Sequence, residues 1–265
     1  MDGIIKGMPG QQRWDGVHFL SGSGLILNTQ KKPWDDVRLR RAASMALNRD
    51  AIVQDVQQGA AQWAGFISAS FTQYAWPEEK LKTMEYLKFN QDAAKALIKE
   101  AGAEGMEVPI DLHPGTTPAD KILAEMVQQM WNDVGFKAVI VPTDVPASYE
   151  KRQTGNFGVL GNGVGFSSAS IDAATRQLFH SEGQRNYGKV KDAELDKLAD
   201  AQAIELDVTK RKAIVDQIQQ RLYDQMWMIP HYNVVDTLVN QPWAKNWPFH
   251  WQLGWIHSER IWVDK

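Results

Sequence analysis

The clearest pattern of hydrophobic and polar positions lies between residues 108 and 141. Val108, Ile110 and Leu112 alternate with other residues as in a strand, and a second apolar run covers residues 136–141. Between these runs, apolar side chains recur at helical spacing: Leu123, Met126, Val127, Met130 and Val134. The pattern predicts a strand, a helix and a strand, joined as a parallel, right-handed crossover.

Capping residues mark both ends of this helix. Thr117 can act as the N-cap, Pro118 suits the first helical position, and Asp120 supplies an acid at position N3. Gly135 suits the left-handed conformation that commonly ends a helix. The helix is therefore predicted to begin near residue 118 and to end before Gly135.

Four further elements are predicted in the first hundred residues. The apolar run at residues 25–27 favours a buried strand, and Asp36 can cap a helix with apolar residues at helical spacing. Asp50 is predicted to cap a second, short helix. Asn90 can cap a third helix, which Gly102 would end.

The second half of the chain is less regular. Residues 59–88 show no clean period, and residues 142–185 are predicted to be rich in loops. Two amphipathic helices follow, with apolar stripes at Leu195, Leu198, Ala199 and Ala203 and at Ile214, Val215, Ile218 and Leu222. An extended segment is predicted from Trp227 to Val239, and no internal repeat divides the chain.

Composition narrows the class of protein. With 265 residues, 43% of them hydrophobic, the chain can bury a substantial core. The net charge of -3 arises from 29 basic and 32 acidic residues spread along the chain, which favours neither nucleic acid nor an anionic membrane as a partner. Cysteine is absent from the sequence, which excludes disulfides and thiolate metal sites. The first residues lack the pattern of a signal peptide, so we expect no export signal in this chain.

Catalytic and metal-binding motifs are not evident. The sequence contains no G-x-S-x-G, H-E-x-x-H or Walker motif, so it predicts neither an enzyme nor a cofactor. Six scattered histidines lack metal-ligand spacing. Arg38, Arg40 and Arg41 lie near Asp35 and Asp36, which favours a solvated, ion-paired face over a phosphate site.

Two loops are candidates for ligand binding. Residues 113–117 lie between the carboxyl end of a predicted strand and the start of a helix, a position typical of ligand sites in α/β sheets but equally compatible with an ordinary connection. Residues 161–170 are rich in glycine and serine and include Phe166. A loop of this length within a domain favours wrapping around a polar ligand over a purely flexible connection.

Tryptophan is concentrated near the end of the chain. Six of the eleven tryptophans fall in the last 39 residues: Trp227, Trp243, Trp247, Trp251, Trp255 and Trp262. Packing in a core or burial in an interface is a better explanation for these rings than stacking on a ligand.

Four segments resemble, in order, the peptide-type bacterial extracellular solute-binding proteins of family 5. They are residues 27–53 (LNTQKKPWDDVRLRRAASMALNRDAIV), 89–102 (FNQDAAKALIKEAG), 123–141 (LAEMVQQMWNDVGFKAVIV) and 185–233, which contains RNYGKVKDAELDKLADAQ and ends in MIPHYN. The resemblance implies an α/β fold, one lobe of a type II periplasmic-binding-protein fold, in which helices flank a mixed sheet. A C-terminal tail would cross back to a missing first lobe.

The resemblance also implies a division of the chain. Residues 1–30 would be a lead-in from the missing first lobe together with the first strand, residues 31–240 the second, substrate-binding lobe, and residues 241–265 a Trp-rich tail returning toward the first lobe. Full-length members are two-lobed and about twice as long, so we expect this chain to be a fragment of a periplasmic or extracellular protein.

The implied function is that of the substrate-binding component of an ABC importer. Such a protein captures a small solute between two lobes and delivers it to a permease in the membrane. Two other classes stay open: a sensor or enzyme domain that reuses the lobe, and a structural or interaction domain without a ligand.

The resemblance also places candidate site residues. The family's aromatic-x-x-aspartate loop, whose carboxylate holds a peptide amino terminus, falls on residues 165–168, where Ser168 replaces the acid. A hydroxyl does not neutralise an ammonium group as a buried carboxylate does. The solute is therefore expected to be peptide-like, opine-like or sugar-like. The predicted ligand-binding residues are Thr116, Val145, Asn162, Phe166, Ser167 and Ser168.

Overall fold

A six-stranded mixed sheet organises the chain in the computed structural model, which describes residues 12–112, 117–161, 170–245 and 262–264. The strands of this sheet are β1 (Gln12–Leu27), β2 (Ala61–Trp63), β3 (Glu107–Leu112), β4 (Lys137–Pro142), β5 (Val159–Gly161) and β6 (Met228–Asn240). Their spatial order is β2-β6-β1-β5-β3-β4. Strands β5, β3 and β4 are parallel, whereas β1 runs antiparallel to both β5 and β6. The sheet is thus parallel at one end and antiparallel at the other.

Helices cover the sheet. They are α1 (Val37–Met45), α2 (Arg49–Gln57), α3 (Glu78–Leu81), α4 (Gln91–Glu100), α5 (Pro118–Asp133), α6 (Val145–Thr154), α7 (Ile171–Phe179), α8 (Ala193–Ile204) and α9 (Val208–Gln225), with a 3-10 turn at Glu85–Leu87. A separate pair of short strands, β7 (Ala244–Lys245) and β8 (Trp262–Val263), is antiparallel. Within the part of the chain that the structure describes, no helix has the length and apolarity needed to cross a lipid bilayer.

The predicted strand-helix-strand unit is confirmed. Strands β3 and β4 pair in parallel from Glu107 opposite Lys137 to Leu112 opposite Pro142, with α5 between them in the chain. Thr117 and Asp120 form a reciprocal capping box at the start of α5. Gly135 follows the helix with a φ of 108°. Local capping signals therefore placed this helix correctly.

The buried face of α5 differs slightly from the predicted stripe. Leu123 and Val127 are buried as expected, together with Ala124 and Trp131. Met126 and Met130 are only partly buried and pack against the edge of the core. The buried face of α5 is therefore rotated from the predicted one and includes Trp131, whose large ring packs beside Trp34 and Phe136.

Helix α2 begins two residues earlier than predicted. Asn48, and not Asp50, is its N-cap, because the Asn48 side chain accepts a 3.1 Å hydrogen bond from the amide of Ala51. Asp50 lies in the first helical turn, where its carboxylate accepts a 2.8 Å hydrogen bond from Nε1 of Trp63. The predicted N-caps Asp36 and Asn90 are confirmed.

The prediction of a loop-rich stretch over residues 142–185 was wrong in large part. Helix α6, strand β5 and helix α7 lie within it. In α6 only Ser148 is buried, so this surface helix carries no apolar stripe that periodicity could detect. Its limits come from local signals instead: Asp144 caps its start, and Gly155 ends it with a φ of 72°.

The predictions for residues 195–239 hold. Helices α8 and α9 match the two amphipathic stripes, and β6 covers the predicted extended segment. Strand β1 begins well before the predicted run at residues 25–27 and pairs with β6 over most of its length. These two long antiparallel strands lie side by side between β2 and β5.

The predicted solvated arginine face is only partly correct. Arg38 forms ion pairs with Asp36 and Glu100, as expected. Arg40 is buried and donates 2.7 Å hydrogen bonds to the carbonyl oxygens of Trp34 and Gln225.

Arg41 donates to the carbonyl oxygen of Asp224 and lies over the ring of Tyr86. Asp224 and Gln225 are the last residues of α9, where helical carbonyls lack intrahelical partners. The prediction failed for Arg40 and Arg41 because a neighbouring helix end, remote in sequence, supplies their acceptors.

Candidate functional site

Three parallel strands end at one edge of the sheet. Leu112 of β3 lies opposite both Pro142 of β4 and Gly161 of β5, so the carboxyl ends of these strands are level. We call this edge, with the segments that leave it, the carboxyl edge. Ligands of open α/β sheets characteristically bind at such an edge, which makes it the candidate site.

Two helices begin at the carboxyl edge. The N-caps of α5 and α6 are Thr117 and Asp144, each accepting a backbone hydrogen bond from the first turn of its helix. The first turns of helices leave backbone N–H groups available and carry a partial positive charge. The edge is therefore surrounded by hydrogen-bond donors that could orient a polar ligand.

Of the six predicted ligand-binding residues, the structure describes Val145. Val145 is the first residue of α6 and is 47% exposed at the carboxyl edge. Tyr149, one helical turn later, is also exposed, so the two residues share one face of α6. The other five lie outside the described residues: Thr116, Asn162, Phe166, Ser167 and Ser168.

An ion pair lies close to the same edge. Asp111, the next-to-last residue of β3, is only 6% exposed, and its carboxylate accepts a hydrogen bond from the ammonium group of Lys151 in α6. The pair neutralises a charge that would otherwise be buried alone. Sequence reasoning missed Asp111, although an acidic residue among the alternating apolar positions of a central strand was a usable signal.

Strand β6 carries a second group of buried polar side chains. His231 and Asn233 are fully buried, and Ser68 and Ser23 lie beside them. The Oγ of Ser68 is 3.4 Å from Oδ1 of Asn233, and the Oγ of Ser23 is 3.5 Å from Nδ1 of His231. These polar residues also escaped the sequence analysis, because the surrounding segment reads as an ordinary apolar strand.

His231 lies in an electrostatically unusual place. Burial, with a smaller contribution from the positive charge of Arg49, lowers the pKa of His231 to about 3. The imidazole is therefore neutral near pH 7. Burial also lowers the pKa of Arg49 to about 9, which leaves the guanidinium protonated.

The pairing of β1 with β6 is irregular at this point. Gly24 lies opposite Pro230, but Gly22 lies opposite Asn233, so β6 contains one extra residue between these pairs. Ile26 of β1 lies opposite both Leu160 of β5 and Met228 of β6. Since both strands are antiparallel to β1, β6 runs in the same direction as β5. After Met228, β6 continues past the carboxyl end of β5. The extra residue of β6 forms a bulge at residues 231–232.

Metal binding finds no support in the arrangement of acidic groups and histidines. Among the residues with described positions, no group of three or more His, Cys, Asp or Glu side chains is placed to hold a metal ion. His180 lies 3.7 Å from a carboxylate oxygen of Asp200 and 4.0 Å from one of Asp196. These contacts connect the end of α7 to α8.

The tail tryptophans are only partly described. Trp243, next to β7, and Trp262 in β8 are 50% and 54% exposed, whereas Trp227 is buried. Trp247, Trp251 and Trp255 lie outside the described residues. The division of the chain at residues 30 and 240, with a tail that returns to a first lobe, stays a prediction.

Comparison with known families gives a match over most of the chain. The model for the middle part of the bacterial extracellular solute-binding proteins, family 5, matches residues 9–186. A dipeptide-binding protein of Pseudomonas aeruginosa is 31% identical over 228 residues, which cover 84% of this chain and 41% of the relative.

Solved structures share the fold. HbpA2 from Haemophilus parasuis superposes with a TM-score of 0.87 at 21% identity, covering 100% of this chain and 52% of that one. The murein tripeptide-binding protein MppA of Escherichia coli gives a TM-score of 0.78 at 22% identity, covering 100% and 52%. The chain thus spans about half the length of the proteins it matches, and its mixed sheet with flanking helices is that of a periplasmic-binding-protein lobe.

Proposed function

Because the chain belongs to family 5 of the bacterial extracellular solute-binding proteins, we propose that it acts as one lobe of the substrate-binding component of a peptide-type ABC importer. The complete protein would work in the periplasm or outside the cell. It would capture a small solute between two lobes and deliver it, chemically unchanged, to a permease in the membrane.

The observation that supports this proposal is the carboxyl edge. Three parallel strands end level there, at Leu112, Pro142 and Gly161, and helices α5 and α6 begin beside them. This edge offers backbone donors and an exposed apolar face on α6. A second lobe closing over it by a hinge motion would bury the solute and exclude water.

We propose a peptide-like solute for this edge. The P. aeruginosa relative is named as a dipeptide-binding protein, and family 5 contains further peptide-binding members. Thr116, Val145, Asn162, Phe166, Ser167 and Ser168 would contact the solute. Val145 would supply an apolar surface, and the hydroxyl and amide groups would form hydrogen bonds.

Recognition of the solute is proposed not to depend on a carboxylate facing its amino terminus. Ser168 occupies the position of the family's acid. Asp111 does not substitute for it, because its carboxylate is already paired with Lys151. The solute would therefore be held mainly by neutral hydrogen bonds and apolar contact.

The test is native mass spectrometry of the two-lobed protein, purified without added ligand, to detect a small molecule that co-purifies. Binding of that molecule would then be measured for Val145→Asp. Phe89→Asp is the matched control, because Phe89 has a similar exposure of 46% and lies in the segment before α4, which is not one of the segments that leave the carboxyl edge. The proposal predicts at least a tenfold loss of affinity for Val145→Asp alone, or about 1.4 kcal/mol; an equal effect of both substitutions would contradict it.

A further inference from the structure

A buried ring nitrogen on strand β6 has no hydrogen-bond partner among the residues that the structure describes. Nε2 of His231 is inaccessible to solvent and makes no hydrogen bond to any described group, while Nδ1 of the same ring lies 3.5 Å from the hydroxyl of Ser23. Buried polar atoms in folded proteins are nearly always hydrogen-bonded to protein or to ordered water. The nitrogen therefore requires a partner of small size.

The guanidinium group of Arg49 is bonded to the backbone next to His231 and has a donor to spare. Its Nε donates a 2.9 Å hydrogen bond to the carbonyl oxygen of Pro230, the residue directly before His231. The two terminal nitrogens donate to the carbonyl oxygens of Ser44 and Leu87 and to the hydroxyl of Ser44. A guanidinium carries five N–H donors, and these contacts use four of them.

The remaining donor and the unpartnered nitrogen are chemically complementary. His231 is neutral near pH 7, so with its proton on Nδ1 toward Ser23, Nε2 is a hydrogen-bond acceptor. Arg49 can only donate. A water molecule can accept from the guanidinium and donate to the imidazole, which satisfies both groups without introducing a charge.

We infer that one internal water molecule bridges the guanidinium of Arg49 and Nε2 of His231. The site lies at the bulge where β6 gains one residue against β1, between the Gly24–Pro230 and Gly22–Asn233 pairs. The water joins helix α2 to β6 there and, as a donor to Nε2, matches the His231 tautomer that carries its proton on Nδ1. This inference is independent of the proposed function, because it concerns the hydrogen bonding of two buried side chains and holds whether or not the protein binds a solute.

A crystal structure of the chain at about 1.5 Å resolution tests the inference directly. The expected result is one isolated water peak within about 3.2 Å of both Nε2 of His231 and a terminal nitrogen of Arg49. A direct hydrogen bond between the two side chains, an empty space between them, or density larger than one oxygen atom would overturn it. Replacement of the peak by bromide in a soak would identify an anion and would also overturn it.

Solution measurements provide a second test with matched variants. Magnetic relaxation dispersion counts long-lived internal waters, and His231→Phe should lose one of them. Tyr223→Phe, which removes a buried hydroxyl bonded to the amide of Tyr86, should lose none. His231→Gln, which restores an acceptor, should retain the water.

Nitrogen NMR of the wild-type protein can also overturn the inference, so the inference stays falsifiable even if a variant fails to fold. The ring of His231 should carry its proton on Nδ1, with Nε2 as acceptor. A spectrum with the proton on Nε2 would contradict the proposed bridge.

Discussion

Nε1 of Trp131 donates a 2.9 Å hydrogen bond to the carbonyl oxygen of Ala43, which joins the crossover helix α5 to helix α1. Both residues are fully buried. The ring of Trp131 also lies 5.5 Å from that of Trp34, so one side chain combines a polar contact with aromatic packing.

Trp131→Phe is expected to destabilise the protein by about 2 kcal/mol, because it leaves the Ala43 carbonyl without this donor and removes part of a buried ring. Urea unfolding measures the effect. Trp243→Phe is the control, since Trp243 is half exposed and should change stability by less than about 0.5 kcal/mol. Equal effects at both positions would mean that the contact with Ala43 is unimportant.

Two adjacent residues of α5 test its orientation. Leu123 is fully buried, whereas Ile122 is 42% exposed. Leu123→Ala should cost about 2–5 kcal/mol of unfolding free energy, as core truncations do, and Ile122→Ala less than about 1 kcal/mol. Chemical denaturation of both variants checks this, and a reversed order would place the wrong face of the helix against the sheet.

These two predictions show what the sequence could establish. The limits and most of the buried face of α5 followed from the capping residues near Thr117 and from a spacing of three and four residues. The burial of Trp131 on this helix could not be predicted from the sequence, because it depends on packing against Trp34 and Ala43, about ninety residues earlier in the chain.

The same distinction applies to the candidate site. The segment after Leu112 was identified from its place between a strand and a helix, which is local information. The pairing of Asp111 with Lys151 and the hydrogen bond from Arg49 to Pro230 depend on contacts between residues 40 and 181 positions apart. Helix α6 was missed because it buries little apolar surface.

Removing only the lysine of the Lys151–Asp111 ion pair is expected to reduce stability more than removing both charges. Lys151→Met should destabilise by about 3 kcal/mol, because it leaves the Asp111 carboxylate buried without a counter-charge. The double variant Lys151→Met/Asp111→Asn should recover part of this loss. Thermodynamic unfolding of the single and double variants provides the comparison.

The control for this experiment is the pair Lys137–Glu107, in which both side chains are mostly exposed. Lys137→Met should change stability by less than about 0.5 kcal/mol, as is usual for surface ion pairs. If the double variant were no more stable than Lys151→Met, the unpaired carboxylate could not be the source of the loss.

Acid should destabilise the protein through His231. Its pKa is about 3 in the folded state, because burial opposes the charged ring, and about 6.5 in the unfolded state. Between these values the unfolded state binds a proton that the folded state does not, so stability decreases as pH falls from 6.5 toward 3. At pH 5 the contribution is about 2 kcal/mol relative to pH 7.

Urea unfolding at pH 7 and pH 5 measures this contribution. His231→Gln removes the titrating group, so its stability should fall by about 2 kcal/mol less than that of the wild type over this pH range. An identical decrease in both proteins would show that His231 becomes protonated readily in the folded state.

The central claim is that solute capture needs the carboxyl edge and a second lobe. Side-by-side calorimetric titration of this chain and of the two-lobed protein, with the solute that co-purifies with the latter, tests it most directly. If the two-lobed protein binds at micromolar affinity, about -8 kcal/mol, and this lobe contributes roughly half, the chain alone should bind near millimolar. Equal affinities would place the whole binding site within residues 1–265 and would contradict capture between two lobes.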